Sequence, residues 1–265
     1  MNFFNQVKES VIDFKFYKHI KDNRFGKSFL YLFILLLIIY SMLTVRNYLL
    51  LKSVMEQAAS GLKESIPEFQ LENGKFSFEG EMPFYISSNE NAVFVIDTTG
   101  ALDEKSLEGT TTGILITEDA VHVKSNAQQQ TVNFSEMKDA KFDKTDLIEL
   151  LPRVTGWALI IMVGMFVFVV AGQLLFALFL ALIGLVISSS LNVDLKYKHV
   201  LNFSIYALTL PMLLDLAVDI SGLQIPQFIF FMMYTAVAAL YLLFAIKAYA
   251  ASLNNPEEQD GNNVV

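Results

Sequence analysis

The chain has 265 residues, of which 54% are hydrophobic and only 17% charged, with a mean hydropathy of +0.45 and a net charge of −8. That balance excludes an ordinary soluble domain of this length and points to a membrane protein. The lack of cysteine excludes disulfides, thiolate metal sites and cysteine nucleophiles.

Residues 1–27 form a basic leader with six basic residues against Glu9, Asp13 and Asp22. Phe3, Val7, Val11 and Phe14 recur near helical spacing with lysines between them, the pattern of an interfacial amphipathic helix. A partly disordered basic tail is the other reading of the same stretch. A first transmembrane helix is expected over 28–51, around the uncharged run Phe29 to Leu43, which lies between Lys27 and Arg46. No small-residue cleavage site follows it, so it reads as an uncleaved anchor. The excess of lysine before it puts the N-terminus in the cytoplasm.

Residues 52–152 follow, polar and acidic, with no run of membrane length. They are expected to form a small extracytoplasmic α+β domain inserted between spans one and two. It opens helically at "LKSVMEQAASGLKES", then turns to short strands: a hairpin about Asn73-Gly74, "AVFVID", and the pair "GILIT" and "AVHVKS" joined through Glu118-Asp119. Asp143 or Thr145 is the expected cap of a last helix, and Pro152 the expected end of the domain.

Residues 153–191 are the second membrane segment. A straight helix over its 37 uncharged residues would be about 55 Å long, so it crosses once as a long or tilted helix or twice through a turn near Gly172-Gln173. The loop 192–199, with Lys196, Lys198 and His199, faces the cytoplasm by the same charge rule and favours one crossing. A third helix at 200–220 and a fourth at 226–250 complete about four spans, with a disordered cytoplasmic tail at 251–265. Five spans with an outward C-terminus is the alternative. The class is thus an α-helical transmembrane bundle in the plasma membrane, and its first partner is the lipid bilayer.

Asp215 and Asp219 lie about 22 Å and 28 Å along the third helix, on one face with Ser204 and Pro211; Asn202, Tyr206 and Thr209 populate the opposite face. An ionised Asp near the bilayer centre costs about 2.5–3.5 kcal/mol unless it finds a partner, water or a proton. Arg46, at the same outer level, is the expected partner of one carboxylate. Arg46, Tyr206, Pro211, Asp215 and Asp219 therefore make a candidate intramembrane polar cluster, either a clasp between helices or a solute or proton path. Pro211 frees a carbonyl near Ala207 and predicts a kink there.

Motifs with catalytic associations carry little. "DTTG" at 97–100 matches the aspartic-protease signature but has no second copy, and reads better as a strand ending in a turn. "DKTD" at 143–146 lacks the glycine of the phosphorylated-aspartate loop and reads as a helix cap. His19, His122 and His199 show no metal-ligand spacing. No enzyme activity, cofactor or metal is expected, and no nucleic-acid partner. Gly156, Gly164, Gly172 and Gly184 are read as sites of close helix packing.

"RFGKSFLYLFIL", "IPEFQLENGKFSFEGEMPF", "FVIDTTG", "GILIT" and "YALTLPMLLD" together resemble the bacterial domain of unknown function 1189 family. The resemblance covers about Arg24 to Ala250. Some members are named maltodextrin-utilisation proteins from their gene clusters. The resemblance therefore implies an accessory or regulatory role in maltose or maltodextrin utilisation beside a sugar-transporter complex; the alternative is a small transporter or channel component using Asp215. It implies no catalytic residues, and the oligomeric state stays open.

Overall fold

The structure is a computed structural model that describes residues 1–88, 92–126 and 128–254. The chain divides into two units, Met1–Asn47 with Ile160–Val265, and Tyr48–Leu159.

The first unit is helical. Two short helices, α1 (Phe3–Ile12) and α2 (Phe16–Ile20), precede α3 (Phe25–Ser65). Asn2 caps α1 by accepting the Asn5 N–H at 2.8 Å. The leader is thus helical, and the disordered alternative is overturned because its apolar side has a surface to bury against. Phe16, Tyr17 and Ile20 lie in the helical core, with Phe3, Val7 and Phe14 packed on it.

Helices α4 (Lys144–Ser190), α5 (Tyr197–Ala207), α6 (Thr209–Ser221) and α7 (Gln227–Asn254) follow. Four helical stretches are long and apolar enough to cross a membrane: α3, α4, α5 with α6 taken together, and α7. The core centres on α5, where every residue from Val200 to Ala207 is buried. Gly184 of α4 seats against it, since a Cβ there would lie 2.4 Å from Val200 Cγ1 and 2.7 Å from Leu242 Cδ2. Gly156, Gly164 and Gly172 face open space, so the packing role expected of them does not hold within this chain.

Element ends depart from the sequence reading in a consistent direction. Helix α3 runs through the boundary expected at 51–52 and stops at Ser65, because nothing before Pro67 opposes helix and "LKSVMEQAASGLKES" favours it. Pro152 does not close the domain; it sits inside α4, which starts at Lys144 and continues with no turn near Gly172-Gln173. The loop expected to reach 199 ends earlier, with α5 beginning at Tyr197. Helix α7 continues to Asn254, so residues 251–254 are helical rather than part of a disordered tail; 255–265 fall outside the described residues. Between α5 and α6 the helix breaks at Leu208, where Pro211 has no N–H to return to the Ala207 carbonyl.

The second unit holds two sheets. Strands β1 (Phe69–Glu72), β2 (Lys75–Phe78) and β8 (Phe142–Asp143) form one, in the order β2-β1-β8. Strands β3 (Phe84–Ser88), β4 (Ala92–Ile96), β5 (Thr112–Ile116), β6 (Ala120–Ser125) and β7 (Gln128–Asn133) form the other, in sequence order. Pairing is antiparallel except between β4 and β5. Asn73 and Gly74 close the β1–β2 hairpin with φ of 53° and 74°, the paired positive values of a type I′ turn. Alternation along β4 and β5 sends Ile96 and Ile116 to a core with Leu71, Phe76 and Phe134, and Val95 and Leu115 to a second core under Leu107. Asp143 caps α4: its Oδ1 accepts the Asp146 N–H at 2.9 Å, while Asp146 Oδ2 accepts the Asp143 N–H at 3.1 Å.

Candidate functional site

The break at Leu208 is the centre of a buried polar network. Thr209 opens α6, and its hydroxyl donates to the Tyr206 carbonyl at 2.7 Å, covering one acceptor that the broken helix leaves over. The Tyr31 hydroxyl lies 2.7 Å from Thr209 Oγ1 and 3.2 Å from Ser10 Oγ. Tyr206 stacks on Tyr31 with ring centroids 4.1 Å apart and donates to Gln6 Oε1 at 2.8 Å. One helical turn earlier, Asn202 donates to the carbonyls of Lys21 and Asn23 at 3.0 and 2.9 Å and accepts from Ser28 at 2.8 Å. Buried polar groups need such partners, and among the described residues no buried side-chain nitrogen or oxygen lacks one. Asn202 is thereby committed to packing.

The carboxylates lie elsewhere. Asp215 is half-buried and Asp219 exposed, on the wall of a cavity of about 230 Å³ that Val218, Leu223, Gln227 and Phe230 also line. Arg46 does reach Asp219, but through the main chain: its Nη1 donates to the Asp219 carbonyl oxygen at 2.6 Å. The expected carboxylate ion pair is corrected accordingly. The Asp219 carbonyl already takes a long bond from the Gly222 N–H at 3.4 Å, and its second lone pair, at the negative end of the helix dipole, draws a cation as a carboxylate does. Helix α6 ends at Ser221, two residues later, and is capped by Gly222 with φ of 72°.

Of the five residues read as one polar cluster, Tyr206 and Pro211 therefore belong to the buried network, whereas Arg46, Asp215 and Asp219 stand at the other end of α6. The partners that the sequence reading missed are Ser28 and Tyr31 on α3 and, in the leader, Gln6, Ser10 and Tyr17, whose hydroxyl donates to the Ser10 carbonyl at 3.1 Å. A signal was present: Phe3, Val7, Ser10, Phe14 and Tyr17 keep a spacing of three and four residues across both leader helices.

In the second unit, Asp97 is fully buried at the end of β4. Its Oδ1 accepts from the Thr99 hydroxyl and, at 3.0 Å, from the Thr99 N–H; its Oδ2 accepts from the Leu102 N–H at 2.6 Å. Burial pushes this carboxyl up, but the Thr99 hydroxyl and the backbone N–H groups of Leu102, Thr99 and Ala101 outweigh it and hold the group below its ordinary value. A carboxylate so fully occupied is a turn clamp. Lys144 is used in the same way: its Nζ donates to the Ile66 carbonyl at 2.8 Å and to Glu68 at 3.0 Å, just past the end of α3. Among the described residues no three His, Asp or Glu side chains come together as a metal site.

No curated protein and no solved structure matches the chain. One family model does, over residues 4–246. The chain belongs to that family, described as Protein of unknown function (DUF1189).

Proposed function

We propose that this protein is a non-catalytic accessory or regulatory component of the plasma membrane, with both ends cytoplasmic and the β-sheet unit on the outer side. The observation that carries this reading is the self-sufficiency of the buried polar network: Tyr31, Thr209, Tyr206, Asn202 and Ser28 satisfy one another or the leader. Side chains that conduct a solute must exchange partners with it, and these are committed to structure. The outer unit, two sheets with their own cores, is the module suited to contacting a partner or sensing a ligand. Carried over from the family resemblance, the process is maltodextrin uptake or use and the partner a sugar-transporter complex.

A transporter or channel component is the second reading, favoured by Asp215, half-buried beside a cavity that also holds Gln227. Two measurements separate them. If the accessory reading holds, a deletion strain impaired in maltodextrin uptake recovers fully with Asp215→Asn, and the purified protein moves neither sugar nor protons in liposomes. Flux that Asp215→Asn abolishes replaces it with the transport reading. The cysteine-free chain makes orientation simple to read: a single Lys105→Cys should react with an impermeant maleimide added to intact cells.

A further inference from the structure

The leader carries apolar residues on two neighbouring sides. Phe3, Val7 and Phe14 pack on the helical core, while Phe4 and Ile12 turn outward, Phe4 with 74% and Ile12 with 64% of its surface exposed. A helix that packs one side on a protein and shows water only polar groups on the other needs no such second stripe.

The contacts of α1 also fix its depth. The Phe3 ring lies 5.6 Å from that of Tyr31, Tyr241 donates to the Val11 carbonyl at 3.0 Å, and the Phe14 ring lies 5.6 Å from that of Phe244. Tyr31 is four residues inside Lys27, about 6 Å at helical rise, and Tyr241 is six residues inside Lys247, about 9 Å. Lys27 and Lys247 bound the apolar runs of α3 and α7 as lysines do at an inner membrane surface, so α1 touches its neighbours on the hydrocarbon side of them. Lys8 lies between Phe4 and Ile12 on the outward face and Lys18 follows on α2; both are exposed, and among the described residues neither forms an ion pair.

We propose that α1 is embedded in the inner leaflet against the bundle, and that its outward face is a binding surface for anionic phospholipid. Phe4 and Ile12 meet acyl chains, and Lys8 and Lys18 reach up to the phosphates, as long cationic side chains do at an interface. The excess of basic residues in 1–27, six against three, selects anionic over zwitterionic headgroups. The proposal rests on the reading that the four apolar helices span the bilayer.

The test uses the full chain with Trp157→Phe, reconstituted in phosphatidylcholine doped with either brominated phosphatidylglycerol or brominated phosphatidylcholine at equal fraction. Phe168→Trp, at a site 71% exposed within α4, reports the span itself and should be quenched by both lipids. Phe4→Trp should also be quenched, roughly two-fold more by the anionic lipid, and Lys8→Glu with Lys18→Glu should bring the two lipids level. Quenching at 168 without quenching at 4, the result of a water-exposed or protein-covered α1, overturns the proposal. Equal quenching at 4 by the two lipids in the parent overturns it too. Absence of quenching at 168 strikes instead at the spans on which it rests.

Discussion

Ser28 donates its hydroxyl to Asn202 at 2.8 Å, joining the first turn of α3 to the middle of α5, and both side chains are buried. Asn202 uses its remaining hydrogens on the Lys21 and Asn23 carbonyls, so the turn between α2 and α3 hangs on the same amide. Asn202→Ala should strand two carbonyls and one hydroxyl, and Ser28→Ala only one acceptor. In a double-mutant cycle on thermal unfolding in detergent, we expect a coupling of about 0.5–2 kcal/mol, the range found for hydrogen bonds between membrane helices. Additive losses would mean that the pair contributes nothing as a pair.

Arg46 offers a prediction that separates a main-chain from a side-chain contact. Because it donates to the Asp219 carbonyl oxygen, removing the Asp219 carboxylate leaves the contact in place. Arg46→Ala should destabilise by about 0.5–1.5 kcal/mol, and the loss should be the same in an Asp219→Asn background, additive within about 0.5 kcal/mol. Recovery of stability in the double variant would show that the guanidinium answers to the carboxylate.

What the sequence disclosed, and what it withheld, follows from which groups it displays. The four apolar stretches, the Asn73-Gly74 hairpin, the Asp143 cap and the kink before Pro211 were legible, because hydropathy, a positive-φ pair, a short acceptor and a missing N–H act locally. Helix ends were misplaced at 51–52 and 152 because helix propensity runs on across a change of solvent. The Arg46 partner was misassigned because a sequence shows side chains and hides the main-chain carbonyls near a helix end, which keep a lone pair for a cation. The polar cluster was split in two for a different reason: Tyr206 finds its partner Gln6 two hundred residues away, a pairing that no local pattern encodes.

The glycines of α4 were read alike as packing sites, yet Gly184 should respond differently from Gly164 and Gly172. Gly184→Ala sets a methyl group into Val200 and Leu242 and should cost about 1–3 kcal/mol through overpacking. Gly164→Ala and Gly172→Ala meet open space within the chain and should be neutral or stabilising by up to about 1 kcal/mol, through helix propensity alone. Melting temperatures of the three variants in one detergent check the order. Loss at Gly164 or Gly172 equal to that at Gly184 would reveal a neighbouring helix from a second copy or a partner.

Asp97 makes stability depend on pH in a definite direction. Its carboxyl is held below the ordinary value by donors that prefer the charged form, so the unfolded chain takes up a proton at a higher pH than the folded one. The stabilisation is therefore fully present above the ordinary carboxyl value, about pH 4, and is lost as pH falls through the lower folded value. Hydrogen exchange at the Leu102 amide, which donates to Asp97 Oδ2 at 2.6 Å, reads this locally in the full-length protein. Corrected for the intrinsic rate, protection should hold steady from neutral pH to about 4 and collapse below it. Asp97→Asn should remove that dependence and lower protection at neutral pH, because one end of an amide must turn its own N–H groups toward a donor; the cost is about 1–3 kcal/mol. Protection of Leu102 that is unchanged by the substitution would show that the turn from Asp97 to Leu102 is held by its backbone rather than by the carboxylate.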